Sequence, residues 1–208
     1  MSVGVVFDCD GVLVDSEPLA EEAWQHVLGQ YGVRITADDI SAVVGTSSIG
    51  TYRHFAGKHD LPGYDETTAA VNAYFLPAMA ERLEPFPDAG HTVRILAAEG
   101  VPLAVASSSD RAELDLKLEK FDLVQYFDFV IAGDEVADAK PAPDIYLAAA
   151  AGLGVVAGEC VAVEDSVNGA TAAQAAGMRV VLIDRVGIIP ASWSTVTSIN
   201  PELIQSWL

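Results

Sequence analysis

The chain has 208 residues, of which 51% are hydrophobic, and it carries a formal net charge of −19. Such a length and composition can bury one substantial core plus a small accessory domain, and they exclude a disordered chain. The charge repels nucleic acid and anionic membranes, no apolar run reaches the roughly 18 residues of a membrane helix, and no basic segment precedes an apolar signal core. We therefore expect a cytoplasmic protein with neither a nucleic-acid nor a membrane partner.

The first predicted element is an apolar strand that ends in two carboxylates, Asp8 and Asp10, followed by Gly11. Alternate side chains of a strand share a face, so Asp8 and Asp10 converge on one point while Cys9 turns away. Cys9 and Cys160 both fall in or beside predicted core strands, where cysteines act as small hydrophobic side chains. In open α/β sheets, ligand sites lie at the carboxyl ends of strands. Taken alone, the acid pair is equally compatible with a solvated turn.

A second region, residues 17–83, lacks strand-like runs and carries helix signals, among them Thr36 with Asp39 as a capping pair. This pattern predicts a small helical cap domain. The cap is inserted into a core that consists of residues 1–16 and 84–208.

From residue 84 onward, apolar strand patterns alternate with helical patterns. Such alternation indicates parallel strands joined by helical crossovers, and therefore an α/β fold with a Rossmann-like parallel sheet. The predicted strands of this region are Pro102–Ala106, Asp128–Ala132, Cys160–Val163 and Arg179–Ile183.

Polar residues follow two of these strands and occupy one loop. Ser107 and Ser108 offer hydroxyls that can bind an anion, Glu164 and Asp165 repeat the acidic pattern of the first strand, and Lys140 precedes a proline-stiffened loop. Acids, hydroxyls and one lysine together suit a site for phosphate and magnesium. Two simpler alternatives are that Ser107 caps a helix and that Lys140 is a surface lysine.

In this order the residues resemble the four motifs of the haloacid dehalogenase (HAD) superfamily, in its branch of β-phosphoglucomutase-like phosphatases and mutases. The resemblance implies a Rossmann-like core with an inserted cap, and it places the Asp8 strand between the strands of Ser107 and Asp165. The matching residues are Asp8-Cys9-Asp10-Gly11-Val12 for the first motif, Ser107 for the second, Lys140 with Pro141 for the third and Glu164-Asp165 for the fourth.

The chemistry expected of such a site is phosphoryl transfer through an aspartyl phosphate. Asp8 is the expected nucleophile, Asp10 the general acid and base, and Lys140 the group that neutralises charge on Asp8 and the phosphoryl oxygens. Ser107 and Ser108 are expected to bind the phosphate. Mg²⁺ is the expected cofactor, with the Asp8 carboxylate, the Asp10 carbonyl and Asp165 as ligands and Glu164 acting through a water or as a hydrogen-bonding neighbour.

The resemblance also bears on the reaction. Dehalogenases and phosphonatases of the superfamily lack the second acid, so Asp10 favours phosphate esters. The mutases carry a cap histidine where this chain has Leu19-Ala20-Glu21, and a basic residue where it has Asp110. These departures favour a phosphatase, with a mutase as the alternative in which Arg111 or Arg53 substitutes. A third hypothesis is a protein that only binds a phosphorylated ligand or a protein; it predicts loss of Asp8, Asp10 or Lys140, and all three are intact here.

The expected function is therefore hydrolysis of a small phosphorylated metabolite, such as a sugar phosphate. The polar loop Gly45-Thr46-Ser47-Ser48 is expected to place Thr46, Ser47, Ser48 and, nearby, Arg53 against the leaving group. Cap residues rather than the core motifs select the leaving group, so the substrate itself stays open. The oligomeric state, any protein partner, and the roles of Asp15 and Glu17 stay open as well.

Overall fold

A computed structural model describes residues 3–43 and 46–208, so Gly45 of the expected cap loop lies outside the described residues. The chain divides into two compact units, one made of residues 1–15 and 85–208 and the other of residues 16–84. These units run close to the ranges expected from the sequence. Their roles as catalytic core and cap stay a prediction.

The larger unit is built on a five-stranded parallel sheet with the strand order β5-β4-β1-β6-β7. The α/β fold is thereby confirmed, and so is the central position of the strand that precedes Asp8. Two further short strands, β2 and β3, form a separate two-stranded sheet. The strands of the described residues are β1 (Gly4–Phe7), β2 (Val14–Asp15), β3 (Glu84–Pro85), β4 (Leu103–Ala106), β5 (Phe129–Ile131), β6 (Cys160–Glu164) and β7 (Arg179–Leu182).

The register of the three central strands positions the motifs. Phe7 on β1 lies opposite Val105 on β4 and Val163 on β6. Because the strands are parallel, the residues that follow these three positions emerge at the same edge of the sheet. The order of strands also reverses at β1, since β4 lies on one side and β6 on the other, and such a switch point opens a crevice for ligands.

Helices cover this sheet. The helices of the larger unit are α5 (Pro87–Ala98), α6 (Arg111–Lys120), α7 (Asp144–Leu153), α8 (Val167–Ala175) and α9 (Pro201–Gln205), numbered after four helices of the smaller unit. Helix α7 packs on β1, β4 and β5, and α8 packs on β6 and β7. The central strands are buried throughout, as expected of strands covered on both faces. Cys9 and Cys160 are buried free thiols in this core.

The smaller unit is helical, with α1 (Glu17–Gly29), α2 (Ala37–Val43), α3 (Ser48–Ala56) and α4 (Tyr64–Arg82). Helix α1 packs on α4. The predicted capping pair is confirmed at α2, where the Asp39 amide donates to Thr36 Oγ1 (3.2 Å) and the Thr36 amide donates to Asp39 Oδ2 (3.1 Å). No helix among the described residues is both long and apolar enough to cross a membrane.

Candidate active site

Lys140 joins three of the strand tips. Its Nζ donates to Asp8 Oδ1 and to Glu164 Oε1, each at 2.7 Å, and to the carbonyl oxygen of Ala106 at 3.1 Å. The Lys140 side chain is only 6% exposed. The alternative of an ordinary surface lysine is therefore wrong, and one buried cation links the carboxyl ends of β1, β4 and β6.

Glu164 is fully buried and surrounded by donors. Its Oε1 accepts from Lys140 and from the Tyr146 hydroxyl (2.7 Å), and its Oε2 accepts from the amide of Asp165 (3.0 Å) and from the amide and hydroxyl of Ser166 (both 3.1 Å). A carboxylate has about four lone-pair positions. These five donors fill both oxygens of Glu164, which fixes the side chain as an anchor for Lys140 and for the turn after β6.

Gly169 allows this anchor to form. Helix α8 begins beside Glu164, and a methyl group on Gly169 would stand 1.7 Å from Glu164 Oε1. The side chain of Ser166 caps the helix by accepting from the Gly169 amide at 3.0 Å. A glycine at this position therefore lets the first turn of α8 close over the buried carboxylate.

Burial and neighbouring charge shift the ionisation of these groups in opposite directions. Burial, with the carboxylates of Glu164 and Asp10, raises the pKa of Asp8 to about 7 despite the nearby lysine. Burial also opposes ionisation of Glu164, but the Lys140 ammonium outweighs it and lowers the pKa of that carboxyl. Burial likewise opposes the charge of Lys140, yet Asp8 and Glu164 raise the lysine's pKa above its ordinary value. Below about pH 7 the protonated form of Asp8 is therefore favoured beside a charged Lys140–Glu164 pair, and above it the carboxylate is favoured.

Asp8, Glu164 and Asp165 form a cluster whose carboxylate oxygens lie within 4.8 Å of one another. Because Glu164 already accepts from five donors, Asp8 and Asp165 are the carboxylates that would hold a cation, with Glu164 beside them. Gly11 lies against this cluster: its backbone is left-handed (φ 71°), and a methyl group there would stand 1.7 Å from Asp165 Oδ2. Oxygen donors with a net negative charge are the donor set that Mg²⁺ takes, so these residues fit the expected cofactor.

Asp10 is held by a residue that the sequence analysis did not single out. Lys117, on α6, donates from Nζ to Asp10 Oδ1 (2.6 Å), and the Ser109 hydroxyl donates to Asp10 Oδ2 (3.0 Å). Lys117 also donates to Ser109 Oγ (2.8 Å) and to Glu113, and its side chain is 1% exposed. Burial opposes the charge of Lys117, but Asp10 and Glu113 raise its pKa above the ordinary value.

The serines that follow β4 lie at the same edge of the sheet as Asp8. Ser107 is buried and Ser108 is exposed, and Ser107 Oγ accepts from the Ser109 amide at 3.1 Å. An oxygen that accepts in this way keeps its own O–H for donation. The N-cap of α6 is Asp110, whose side chain accepts from the Glu113 amide at 2.9 Å, so the alternative in which Ser107 caps the helix is wrong.

The expected cap residues lie in the smaller unit. Ser47 is the N-cap residue of α3, Ser48 is the first residue of that helix, and Arg53 is exposed on it. Thr46 Oγ1 donates to the Val43 carbonyl oxygen at 2.6 Å. The expectation that these four residues select the leaving group stays a prediction. Asp15 and Glu17 are both exposed, and their roles stay open.

Three comparisons identify the family. The model of the haloacid dehalogenase-like hydrolases matches residues 3–177. The fructose-1-phosphate phosphatase YqaB of Escherichia coli is 35% identical over 188 residues, which cover 84% of this chain and 93% of that protein. The chloroplastic protein SUPPRESSOR OF QUENCHING 1 of Arabidopsis thaliana is 38% identical over 185 residues, which cover 86% of this chain but only 17% of that much longer protein.

Among solved structures, CbbY from Rhodobacter sphaeroides in complex with phosphate superposes with a TM-score of 0.83 at 26% identity, over 95% of each chain. The family and the fold expected from the sequence therefore agree with these comparisons. The chain belongs to the haloacid dehalogenase-like hydrolases, and its enzyme class is that of a phosphoric monoester hydrolase.

Proposed function

We propose that the protein is a Mg²⁺-dependent phosphatase that hydrolyses a small phosphorylated metabolite through an aspartyl phosphate on Asp8. One observation carries the proposal: a buried lysine binds both Asp8 and Glu164, beside a carboxylate cluster that fits a divalent cation. A solvated turn would leave these charges in water, whereas burying them carries a desolvation cost, and buried ionisable groups with shifted pKa values cluster at functional sites.

In the first half of the reaction, a carboxylate oxygen of Asp8 attacks phosphorus and the bond to the leaving oxygen breaks. Asp10 gives its proton to that oxygen, so the product is an alcohol rather than an alkoxide. Lys140 neutralises charge on Asp8 and the phosphoryl oxygens, and the hydroxyls of Ser107 and Ser108 donate to those oxygens.

In the second half, Asp10 takes a proton from a water molecule, whose oxygen attacks phosphorus. The bond between phosphorus and the Asp8 oxygen breaks, which releases phosphate and restores both carboxyl groups. The Asp8 carboxylate, the Asp10 carbonyl and Asp165 are the proposed Mg²⁺ ligands, and Glu164 acts one step outward by holding Lys140. When bound, the ion offsets the repulsion between the acids and the phosphoryl group.

The proposed substrate class is a small sugar phosphate or a similar metabolite, in keeping with the name of the Escherichia coli relative. A mutase must also hold a second phosphate, which requires a dedicated basic clamp. Of the basic residues that the sequence offered for this task, Arg111 already pairs with Asp115 (3.2 Å) and with Glu135. This pairing counts against Arg111 as the clamp of a mutase and leaves Arg53, which is exposed, as the candidate for that role. A cytoplasmic location stays a prediction.

The test measures two products at once. The protein is incubated with Mg²⁺ and either fructose 1-phosphate or β-glucose 1-phosphate with a trace of glucose 1,6-bisphosphate, while free phosphate and glucose 6-phosphate are followed. We expect phosphate release that is abolished by EDTA and by Asp8→Asn. Rapid isomerisation with little free phosphate would support the mutase, and absence of turnover across a panel of phosphorylated metabolites would support a binding protein.

A further inference from the structure

Lys117 occupies a position in α6 where an apolar residue is expected. The buried residues of this helix are Leu114, Lys117 and Leu118, so the lysine lies on the face that packs against the core. A lysine is almost never fully buried unless it is paired. The groups that pair with its ammonium therefore show why a lysine is buried at this position.

The Lys117 ammonium and one of those groups, the Ser109 hydroxyl, both contact the side chain of Asp10. Lys117 Nζ donates a hydrogen bond to Asp10 Oδ1 at 2.6 Å, and the Ser109 hydroxyl donates one to Asp10 Oδ2 at 3.0 Å. Lys117 and Ser109 are also bonded to each other at 2.8 Å, and Glu113 contacts both. Lys117 and Ser109 therefore hold both oxygens of the Asp10 carboxylate and fix its orientation.

This orientation separates the two acids of the first motif. Among the described residues, the carboxylates grouped closely enough for a shared cation are Asp8, Glu164 and Asp165, and Asp10 is not in that group. Each acid of the motif instead has its own buried lysine, Lys140 for Asp8 and Lys117 for Asp10. A carboxylate that turned into the cation cluster would be a ligand and could no longer transfer a proton to the leaving group.

We propose that Lys117 is a positioning residue, which together with Ser109 keeps the Asp10 carboxylate out of the cation cluster and aimed for proton transfer. The inference rests on the proposed phosphatase function, and it adds a residue outside the four sequence motifs. It predicts that loss of Lys117 removes acid catalysis while nucleophilic attack by Asp8 persists.

The test compares Lys117→Met with wild type on an alkyl phosphate and an activated aryl phosphate. An aryl leaving group departs without a proton, so only the alkyl ester needs Asp10 in the first step. We expect kcat/KM to fall roughly 10²-fold or more for the alkyl ester and less than about tenfold for the aryl ester. The aryl ester should also give a rapid burst of phenol before a slow steady state, since the second step still needs Asp10 as a base.

Lys120→Met is the matched control, because Lys120 lies on the same helix and stacks over Phe121 at 5.8 Å. It should leave both esters unaffected. Ser109→Ala removes the other donor to Asp10 and little volume, and it should also lower the ratio of alkyl to aryl kcat/KM. If Lys117→Met does not fold, the result for Ser109→Ala decides between the two outcomes.

Equal losses on both esters in the folded variants, or no loss on either, would overturn the positioning role while wild-type turnover still upholds the phosphatase. If the wild-type protein hydrolyses neither ester in Mg²⁺, the phosphatase function fails and this inference fails with it.

Discussion

The buried carboxyl of Asp8 should make the metal-free protein less stable as the pH rises. The folded pKa of Asp8 is about 7, against an ordinary value of 3.8. Because the folded value is raised, Asp8 contributes stability at low pH that is lost as the pH rises from about 4 through about 7. Three pKa units correspond to on the order of 4 kcal/mol across the whole range, and the part above pH 5 to on the order of 3 kcal/mol.

The perturbation is Asp8→Asn, which keeps the shape of the side chain but cannot ionise. Urea unfolding in EDTA at pH 5 and pH 8 measures the free energy of unfolding of both proteins under conditions above the sequence pI of about 4.2. The variant should gain on the wild type by on the order of 3 kcal/mol between these two pH values. Saturating Mg²⁺ should reduce this gain, since the cation favours the ionised carboxylate.

Asp138→Asn provides the control, because Asp138 is an exposed carboxyl of the same unit. It should track the wild type at both pH values. If the stability difference between Asp8→Asn and wild type were the same at pH 5 and pH 8, then Asp8 would ionise normally in the folded protein. The reasoning from burial would then be refuted.

Two further predictions concern the anchor of the site. Gly169→Ala places a methyl group 1.7 Å from Glu164 Oε1, so it should lower the free energy of unfolding by about 1–3 kcal/mol or more. Gly158→Ala is the control, because its methyl group would have its nearest neighbour at 3.9 Å, and it should leave the free energy of unfolding unchanged. Equal urea midpoints for the two variants would contradict this account. Glu164→Gln places amide hydrogens where the surrounding groups are all hydrogen-bond donors, so it should lower the free energy of unfolding, measured in urea, by roughly 3–5 kcal/mol. A variant with the urea midpoint of the wild type would show that Lys140 does not depend on the charge of Glu164.

Much of the site could be predicted because each motif residue directly follows a strand or lies in a marked loop. The run before Asp8 is apolar, parallel strands bring their carboxyl ends together, and the family resemblance supplied the order in which β1 lies between β4 and β6. The alternatives for Ser107 and Lys140 could not be decided in this way. They depended on burial and on Asp110 as the true helix cap, which only the folded chain reveals.

Lys117 could not be found from local pattern because its partner Asp10 is 107 residues away. Its one sequence signal is a lysine on the leucine-bearing face of α6, and long lysine side chains often line such faces with their charge in water. The hydrogen bonds to Glu164 could not be predicted for the same reason, because their donors come from the loop of Lys140, from α7 and from the start of α8 and meet only after folding.

The central claim is that Asp8 carries the phosphoryl group, and chemical trapping tests it most directly. The Asp10→Asn variant, which should form the intermediate from an activated aryl phosphate but hydrolyse it slowly, is quenched in acid and reduced with borohydride. Reduction converts an acyl phosphate to the alcohol, so peptide mass spectrometry should find homoserine in place of aspartate at position 8. Homoserine at any other aspartate, or an unmodified position 8 after a phenol burst, would contradict the account.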